Sequence, residues 1–459
     1  MDGMTRREVL GTLGAAAGAC LLSSPFAAAQ TARPNIIFIL ADDLGYGDLG
    51  CYGQQKIKTP RLDRLAAEGI RFTQCYSGST VCAPSRCSLM TGMHTGHARI
   101  RGNALVPLEP GDTTVAEVLK RAGYRTALFG KWGLGEPDTT GVPNAKGFDE
   151  FFGYLNQGHA HNYYPEYLWR NGEKVTLAGN REDPEKRGVS IERGAYSCDL
   201  FTEEALAFLD RKQDAPFFMY LAYTLPHANN ERGAAEKNGM EVPDPGEYAA
   251  MDWPEPQKGH AAMISRLDRD VGRVLDKLAE KGLDKNTWVF FTSDNGTHKE
   301  GGADPAFFQS SGPLRGIKRD LYEGGIRVPM IVRGPDAAPG AQTNAGVWAF
   351  WDFLPTAAAL AGTDAPRCDG VSVAPLLTGG KTAPHPPLYW EFHEGGYFRA
   401  VRDGDWKLVK KRDKPAELYD LSNDPAEEND IAGEHPDVVK RLEAFMGSAR
   451  TPSEKWPGK

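Results

Sequence analysis

Asn35-Ile36-Ile37-Phe38-Ile39-Leu40-Ala41-Asp42-Asp43 is an apolar run of strand length, preceded by Pro34 and stopped by two carboxylates. A strand with one wet face alternates apolar and polar residues. This one does not, so both faces are expected to be buried, as in a central strand of a parallel sheet. Similar runs recur at Thr126 to Phe129, Pro216 to Tyr223, Trp288 to Thr292 and Val328 to Val332. Helical patterns lie between them. Asp199 to Arg211 carries Leu200, Ala205, Phe208 and Leu209; His260 to Lys281 carries Met263, Leu267, Val271, Leu275 and Leu278 and stops at Gly282. The rhythm predicts a doubly wound α/β sheet flanked by helices. In such sheets the chemistry collects at the carboxyl ends of the strands. Asp42 with Asp43, Lys131, His227, and Asp294 with Asn295 each follow one of the runs.

Beyond about residue 380 the pattern changes. Pro384-His385-Pro386-Pro387 reads as a linker, followed by short alternating segments at Leu388 to Phe392, Phe398 to Val401, Trp406 to Lys410 and Glu417 to Leu421. Turns at Gly395-Gly396 and Asp403-Gly404 separate them, which predicts a small antiparallel sheet. A closing helix is expected from about Asp424-Pro425 to Met446.

The 459 residues suffice for one large α/β domain and a smaller one, and 41% apolar with 25% charged residues is ordinary for a globular chain. A net charge of −8 argues against a nucleic-acid partner, which would want a basic footprint. It leaves room for an anionic substrate, because a local cluster of cations can oppose the global sign. At the N-terminus, Thr5-Arg6-Arg7-Glu8-Val9-Leu10 precedes an apolar Gly/Ala-rich stretch from Gly11 to Leu22 and Ala27-Ala28-Ala29. It resembles a twin-arginine export signal over residues 1–29, cleaved near Ala29. The stretch is too short and too rich in small residues for a membrane anchor. Cys20 lacks the leucine that a lipoprotein box carries three residues earlier. The mature chain is therefore expected in the periplasm or outside a bacterium, with no stable membrane partner. Of the seven cysteines (Cys20, Cys51, Cys75, Cys82, Cys87, Cys198 and Cys368), one leaves with the signal. The count is too low for a disulfide-built scaffold.

Asp42-Asp43-x-Gly45 and Ser293-Asp294-Asn295-Gly296 each suit a turn when taken alone. Together, at the ends of two expected parallel strands, three carboxylates and an amide carbonyl make a hard-cation set suited to calcium, or to magnesium, rather than zinc. Cys82-Ala83-Pro84-Ser85-Arg86-Cys87-Ser88-Leu89-Met90-Thr91-Gly92 is the most restrictive motif. As an isolated Cys-x-Pro-x-Arg it would describe a buried thiol opening a helix, where free N–H groups and the positive helix end favour an anion. It does not stand alone. Gly130-Lys131-Trp132-Gly133-Leu134-Gly135, Leu225-Pro226-His227, and the long run from Gly316 through Lys318 to Pro329 follow it in order.

In this order the blocks resemble the type I sulfatases, and the resemblance spans nearly the whole mature chain. It implies an alkaline-phosphatase-like α/β fold, a doubly wound mixed sheet flanked by helices, with a catalytic domain over 30–380 and a C-terminal α+β subdomain over 381–459. It implies that Cys82 is converted to formylglycine by a maturation enzyme. A hydrated aldehyde offers two geminal hydroxyls, one to attack sulfur and one whose deprotonation expels sulfate, so hydrolysis splits into two easier steps. Asp42, Asp43, residue 82, Asp294 and Asn295 match the family's metal ligands. Arg86 and Lys131 match its anchors for the hydrate and sulfate, and His227 and Lys318 the partners of the bridging ester oxygen. Removing Cys20 and Cys82 leaves five cysteines, so at most two disulfides.

The chain departs from the pattern at Gly133, where many relatives carry the histidine assigned to proton removal. The loop Gly158-His159-Ala160-His161-Asn162-Tyr163-Tyr164-Pro165 could supply a substitute, His161 first and His159 second, or could hold a sugar through His159, His161 and Asn162. Gly133 and this loop point to relatives that act on sulfated galactose or N-acetylgalactosamine. Two other functions stay open on the residues: a phosphate or phosphonate ester hydrolase on the same fold, and an unmodified glycan-binding protein without catalysis.

Overall fold

Both faces of Asn35–Ala41 are buried. Ile37, Ile39 and Ala41 face one core cluster; Ile36, Phe38 and Leu40 face another. Each such side chain contributes about 1.5–3 kcal/mol on burial, so this strand ties two apolar layers together. The computed structural model describes residues 33–212, 214–335 and 341–458, and the expected signal over 1–29, with Cys20, lies outside them.

The main sheet has eleven strands, and its main path runs Gln342–Asn344, Ile70–Tyr76, Arg327–Arg333, Thr287–Ser293, Asn35–Ala41, Phe217–Ala222, Arg125–Lys131, Glu150–Tyr154, Tyr167–Arg170, Glu173–Thr176. From Thr287–Ser293 to Glu150–Tyr154 the neighbours are parallel. Arg327–Arg333 runs antiparallel to Thr287–Ser293. Its apolar run resembled the others because burial on both faces, not strand direction, sets composition. Helices Pro60–Glu68, Ser197–Asp210 and Glu255–Glu280 contribute to one core layer, and Cys82–Thr91, Val115–Arg121 and Phe353–Leu360 to the other.

The C-terminal sheet is antiparallel in the order Leu388–Phe392, Phe398–Asp403, Trp406–Lys411, Glu417–Asp420. One face (Trp390, Phe392, Ala400, Val409) packs with Tyr76, Val81 and Trp351. The other (Tyr389, Val401, Leu408, Leu418) packs with Leu442 and Met446 of the last helix. That helix is Pro436–Ser448, later than expected. The Asp424 carboxylate accepts from the backbone N–H groups of Glu428 and Asn429, and Ile431 N–H donates to Leu418 at 3.0 Å. These bonds hold residues 424–431 in turns, and Pro436 starts the helix. Among the described residues all six cysteines are free, and no helix is long and apolar enough to cross a membrane.

Candidate active site

The parallel strands stop together, so the residues that follow them meet at one edge of the sheet. Asp42 and Asp43 leave Asn35–Ala41, with Asp43 in the left-handed region at φ 66°. Asp294 and Asn295 leave the neighbouring strand in register, Ala41 opposite Ser293. Gly296 is required beside them: a Cβ there would lie 1.9 Å from the carbonyl oxygen of Gly324. Cys82 opens helix Cys82–Thr91, whose ten residues are all buried. Arg86 sits one turn later and so on the same helix face.

The side chains converge. Cys82 Sγ lies 3.2 Å from Asp42 Oδ1. Lys131 Nζ donates to Asp42 Oδ2 at 2.6 Å. Arg86 Nε donates to Asp294 Oδ2 at 3.0 Å and its Nη1 to the Lys131 carbonyl at 2.7 Å. Lys318 Nζ donates to Asp43 Oδ2 at 2.8 Å, and Asn295 Nδ2 to Asp43 Oδ1 at 2.7 Å. Every member is buried, Lys318 being the most exposed at 5%.

Charge in this setting is held by pairing. Burial opposes ionisation of Asp42, but Lys131, Arg86 and His227 outweigh it and hold the carboxyl well below its usual range. Asp294 goes the other way: burial, then the neighbouring Asp42, push it up to about 7. Burial and then Asp42 also push the Cys82 thiol up, so as an unmodified cysteine it stays protonated. Burial, then Lys318, push His227 down to about 3. His227 Nδ1 is 2.6 Å from the Ala228 carbonyl and must donate to it, which leaves Nε2 to accept from Lys318 Nζ at 3.2 Å. Lys318 therefore carries the proton of this pair.

The donor set fits a hard cation. Ligand atoms of Asp42, Asp43, Cys82 and His227 lie within 4.8 Å of one another, but the Nε2 lone pair of His227 already accepts from Lys318. The oxygens of Asp42, Asp43, Asp294 and Asn295 remain, and Asn295 Oδ1 is buried with no hydrogen-bond partner. An orphaned carbonyl oxygen beside three carboxylates suits calcium or magnesium.

The 158–165 loop divides. His161 stacks on His227 with ring centroids 4.9 Å apart, and its Nδ1 is 3.1 Å from Glu231 Oε2. His159 instead packs between Tyr154 and Tyr167. Asn162 is turned inward as well. It is 1% exposed, its Nδ2 donates to Glu182 and Ser190, and its Oδ1 accepts from Tyr164 N–H. At these two positions the loop turns part of its polar surface inward and holds itself. Tyr163 has a supporting part, its hydroxyl lying 2.6 Å from the carbonyls of both Thr224 and His227.

Sequence reasoning missed Glu300, Glu231 and Gln157. Glu300 Oε2 accepts from Lys318 Nζ at 2.9 Å, and Lys318 with His227 holds its carboxyl far below the usual range against the effect of burial. Its only sequence signal is its place in the loop after Asp294-Asn295. Gln157 fills the space above Gly133, where an added Cβ would lie 2.1 Å from Gln157 Nε2.

Comparison with known proteins identifies the family. The sulfatase family pattern matches residues 34–363, and the C-terminal pattern of N-sulphoglucosamine sulphohydrolase matches 317–451. Human arylsulfatase A is 33% identical, over 90% of this chain and 87% of its own. The N-acetylgalactosamine-6-O-sulfatase of Bacteroides thetaiotaomicron is 30% identical over 91% and 93%. The crystal structure of Ps i-CgsB in complex with k-i-k-neocarrahexaose superposes with a TM-score of 0.78 at 28% identity, over 93% and 95% of the chains. A phosphonate monoester hydrolase of Agrobacterium radiobacter shares the fold at 21% identity and a TM-score of 0.63. The chain belongs to the type I sulfatases, enzymes that hydrolyse sulfate esters.

Proposed function

We propose that this enzyme removes sulfate from a sulfated carbohydrate of the galactose or N-acetylgalactosamine type, with formylglycine at position 82 and calcium at Asp42, Asp43, Asp294 and Asn295. The observation that carries the reading is the buried ring of Arg86, Lys131 and Lys318 around three carboxylates and residue 82. The carbohydrate class rests on the relatives named N-acetylgalactosamine sulfatases and on the solved complex with k-i-k-neocarrahexaose. When bound, calcium would neutralise negative charge on the sulfate and orient the oxygens of residue 82. Formylglycine would supply, as its hydrate, the oxygen nucleophile that a buried protonated thiol does not.

The chain's own residues do the remaining work. Arg86 and Lys131 are fixed by Asp294 and Asp42, so they present positive charge to the sulfate without reorganising. Against the effect of burial, Asp43 and Glu300 hold Lys318 charged beside the neutral His227, which suits stabilising the negative charge that develops on the departing sugar oxygen. His161, stacked on the His227 ring, would touch the sugar. Because Cys82 is only 2% exposed, its conversion must precede closure of the fold, so the formylglycine-generating enzyme meets a nascent or unfolded chain. The signal-like segment over residues 1–29 supports a mature protein in the periplasm or outside the cell.

Mass analysis of the Cys82 peptide tests the modification directly, and an unmodified cysteine in an active preparation would refute it. Cys82→Ala should fold yet lose sulfate release by roughly a thousandfold or more. Parallel rates on sulfate and phosphonate esters decide between this reading and the phosphonate hydrolase that shares the fold. A panel of positionally defined sulfated sugars fixes the substrate.

A further inference from the structure

Gly133 leaves a space, and the structure shows what enters it. The loops 103–107, 133–136 and 156–158 enclose a cavity of about 230 Å³. It borders the centre on two sides. Asn103 Oδ1 accepts from the backbone N–H of Ala83, next to residue 82, at 3.0 Å, and Gly133 stands two residues after Lys131. Gln157 projects over Gly133, at φ +82°, so close that any larger residue at 133 would collide with its amide. Both Gln157 Nε2 and Oε1 are buried, and neither has a hydrogen-bond partner. Orphaned polar atoms of this kind are rare and costly unless something else satisfies them.

The rest of the wall indicates what that is. Glu136 Oε2 accepts from Asn156 Nδ2 at 3.0 Å, and Leu105 stands 74% exposed, the most exposed large apolar side chain described. A carboxamide offers a donor and an acceptor to vicinal hydroxyls, a carboxylate accepts from a third, and an aliphatic patch suits the C–H face of a pyranose. The Glu136 carboxylate would repel sulfate. The volume lies below the ~300 Å³ at which drug-sized sites begin, so it takes one ring rather than a chain.

We propose that this cavity is a subsite for an uncharged sugar residue linked to the sulfated one, with Gln157 its principal hydrogen-bonding group. The proposal rests on the reading of the enzyme as a glycan sulfatase. It makes Gln157 a specificity-determining residue rather than a substitute base, since a carboxamide takes up no proton near neutral pH.

The test uses the mature, modified enzyme, a sulfated monosaccharide, and the matching disaccharide with an unsulfated second ring. In Gln157→Ala the ratio of kcat/KM on the disaccharide to that on the monosaccharide should fall about tenfold. Gln157→Glu, which keeps the shape, should lower the same ratio, and guards against misfolding of the alanine variant. Calorimetry with the fully unsulfated disaccharide should show binding to wild type that both variants weaken. Ratios within twofold of wild type, or no binding of the neutral disaccharide, would overturn the subsite. Should wild type release no sulfate from any sugar, the glycan-sulfatase reading fails, and calorimetry alone still decides the subsite, for or against.

Discussion

Two clusters of buried charge can be set side by side. The first surrounds Cys82. The second ties the C-terminal sheet to the main body: Lys407 Nζ lies 2.8 Å from both Glu323 Oε1 and Glu427 Oε1, Tyr76 donates to Glu323 Oε2 at 2.6 Å, and Arg402 bonds Tyr76 and Gln74. Each holds one carboxyl shifted up to about 7, Asp294 in the first and Glu427 in the second, burial being the main cause in both. A displaced pKa therefore does not separate a site from a staple. What separates them is openness. In the seam Lys407 sits between two carboxylates and Glu323 is met from several sides. Glu427 Oε1 lacks a hydrogen bond but keeps its ion pair with Lys407, whereas in the site Asn295 Oδ1 has neither, and a cavity bordered by the orphaned amide of Gln157 adjoins residue 82.

The largest effect that distinguishes the clusters should come from removing a cation. Chelation should take sulfate release to background and calcium should restore it, with unfolding of the seam unaffected. Full activity with no metal by elemental analysis would close the distinction. Lys407→Met makes the opposite cut. Glu427 loses its ionic partner and Glu323 one of several, so stability should fall by about 3–5 kcal/mol, read by urea unfolding, while kcat of the folded fraction holds. A matching loss of kcat would mean that the seam shapes the site.

A smaller effect concerns His94, which packs at the seam beside Tyr389 and Trp351. Burial lowers its pKa from 6.5 to about 4, against the pull of Asp369. The folded state resists a proton that the unfolded chain accepts. Stability from this group is thus full above pH 6.5, falls as pH drops toward 4, and is level below; the span is roughly 3 kcal/mol. His94→Gln should flatten the acid limb of the stability curve by about one proton. An unchanged slope would place the titration elsewhere.

How far the sequence reached follows the same division. Asn35–Ala41 and its sister runs were legible because burial on both faces leaves no choice of residue. Asp42, Asp43, Asp294 and Asn295 were legible because they follow such runs, and strand ends in one sheet meet. Antiparallel Arg327–Arg333 looked parallel, since direction leaves no mark on composition. The last helix was placed too early because the Asp424 turn bonds compete with helix locally and win. Gln157 and Glu231 were invisible: each matters only through a partner distant in sequence or missing, Glu231 through His161 and Gln157 through the side chain that Gly133 lacks.

His161 stands where the legible and illegible parts touch, and its replacement should give the smallest effect. Its Nδ1 faces Glu231, so Nδ1 carries the hydrogen and Nε2 is left as an acceptor on the ring that lies over His227. An acceptor held by a carboxylate can bind a sugar hydroxyl or take a proton during sulfate expulsion, and kinetics separate the two. If it binds sugar, His161→Ala should raise KM on a sulfated glycan about tenfold and spare a small aryl sulfate. If it removes the proton, both substrates should slow together and a sulfated enzyme should accumulate, visible by mass spectrometry. Glu231→Gln should reproduce either pattern more weakly, because the amide oxygen can still accept from Nδ1 and fix the ring. The sugar role is the one expected, since Glu231 takes the Nδ1 hydrogen and leaves Nε2 to accept from a hydroxyl. Unchanged kinetics on both substrates would reduce His161 to a packing partner of His227.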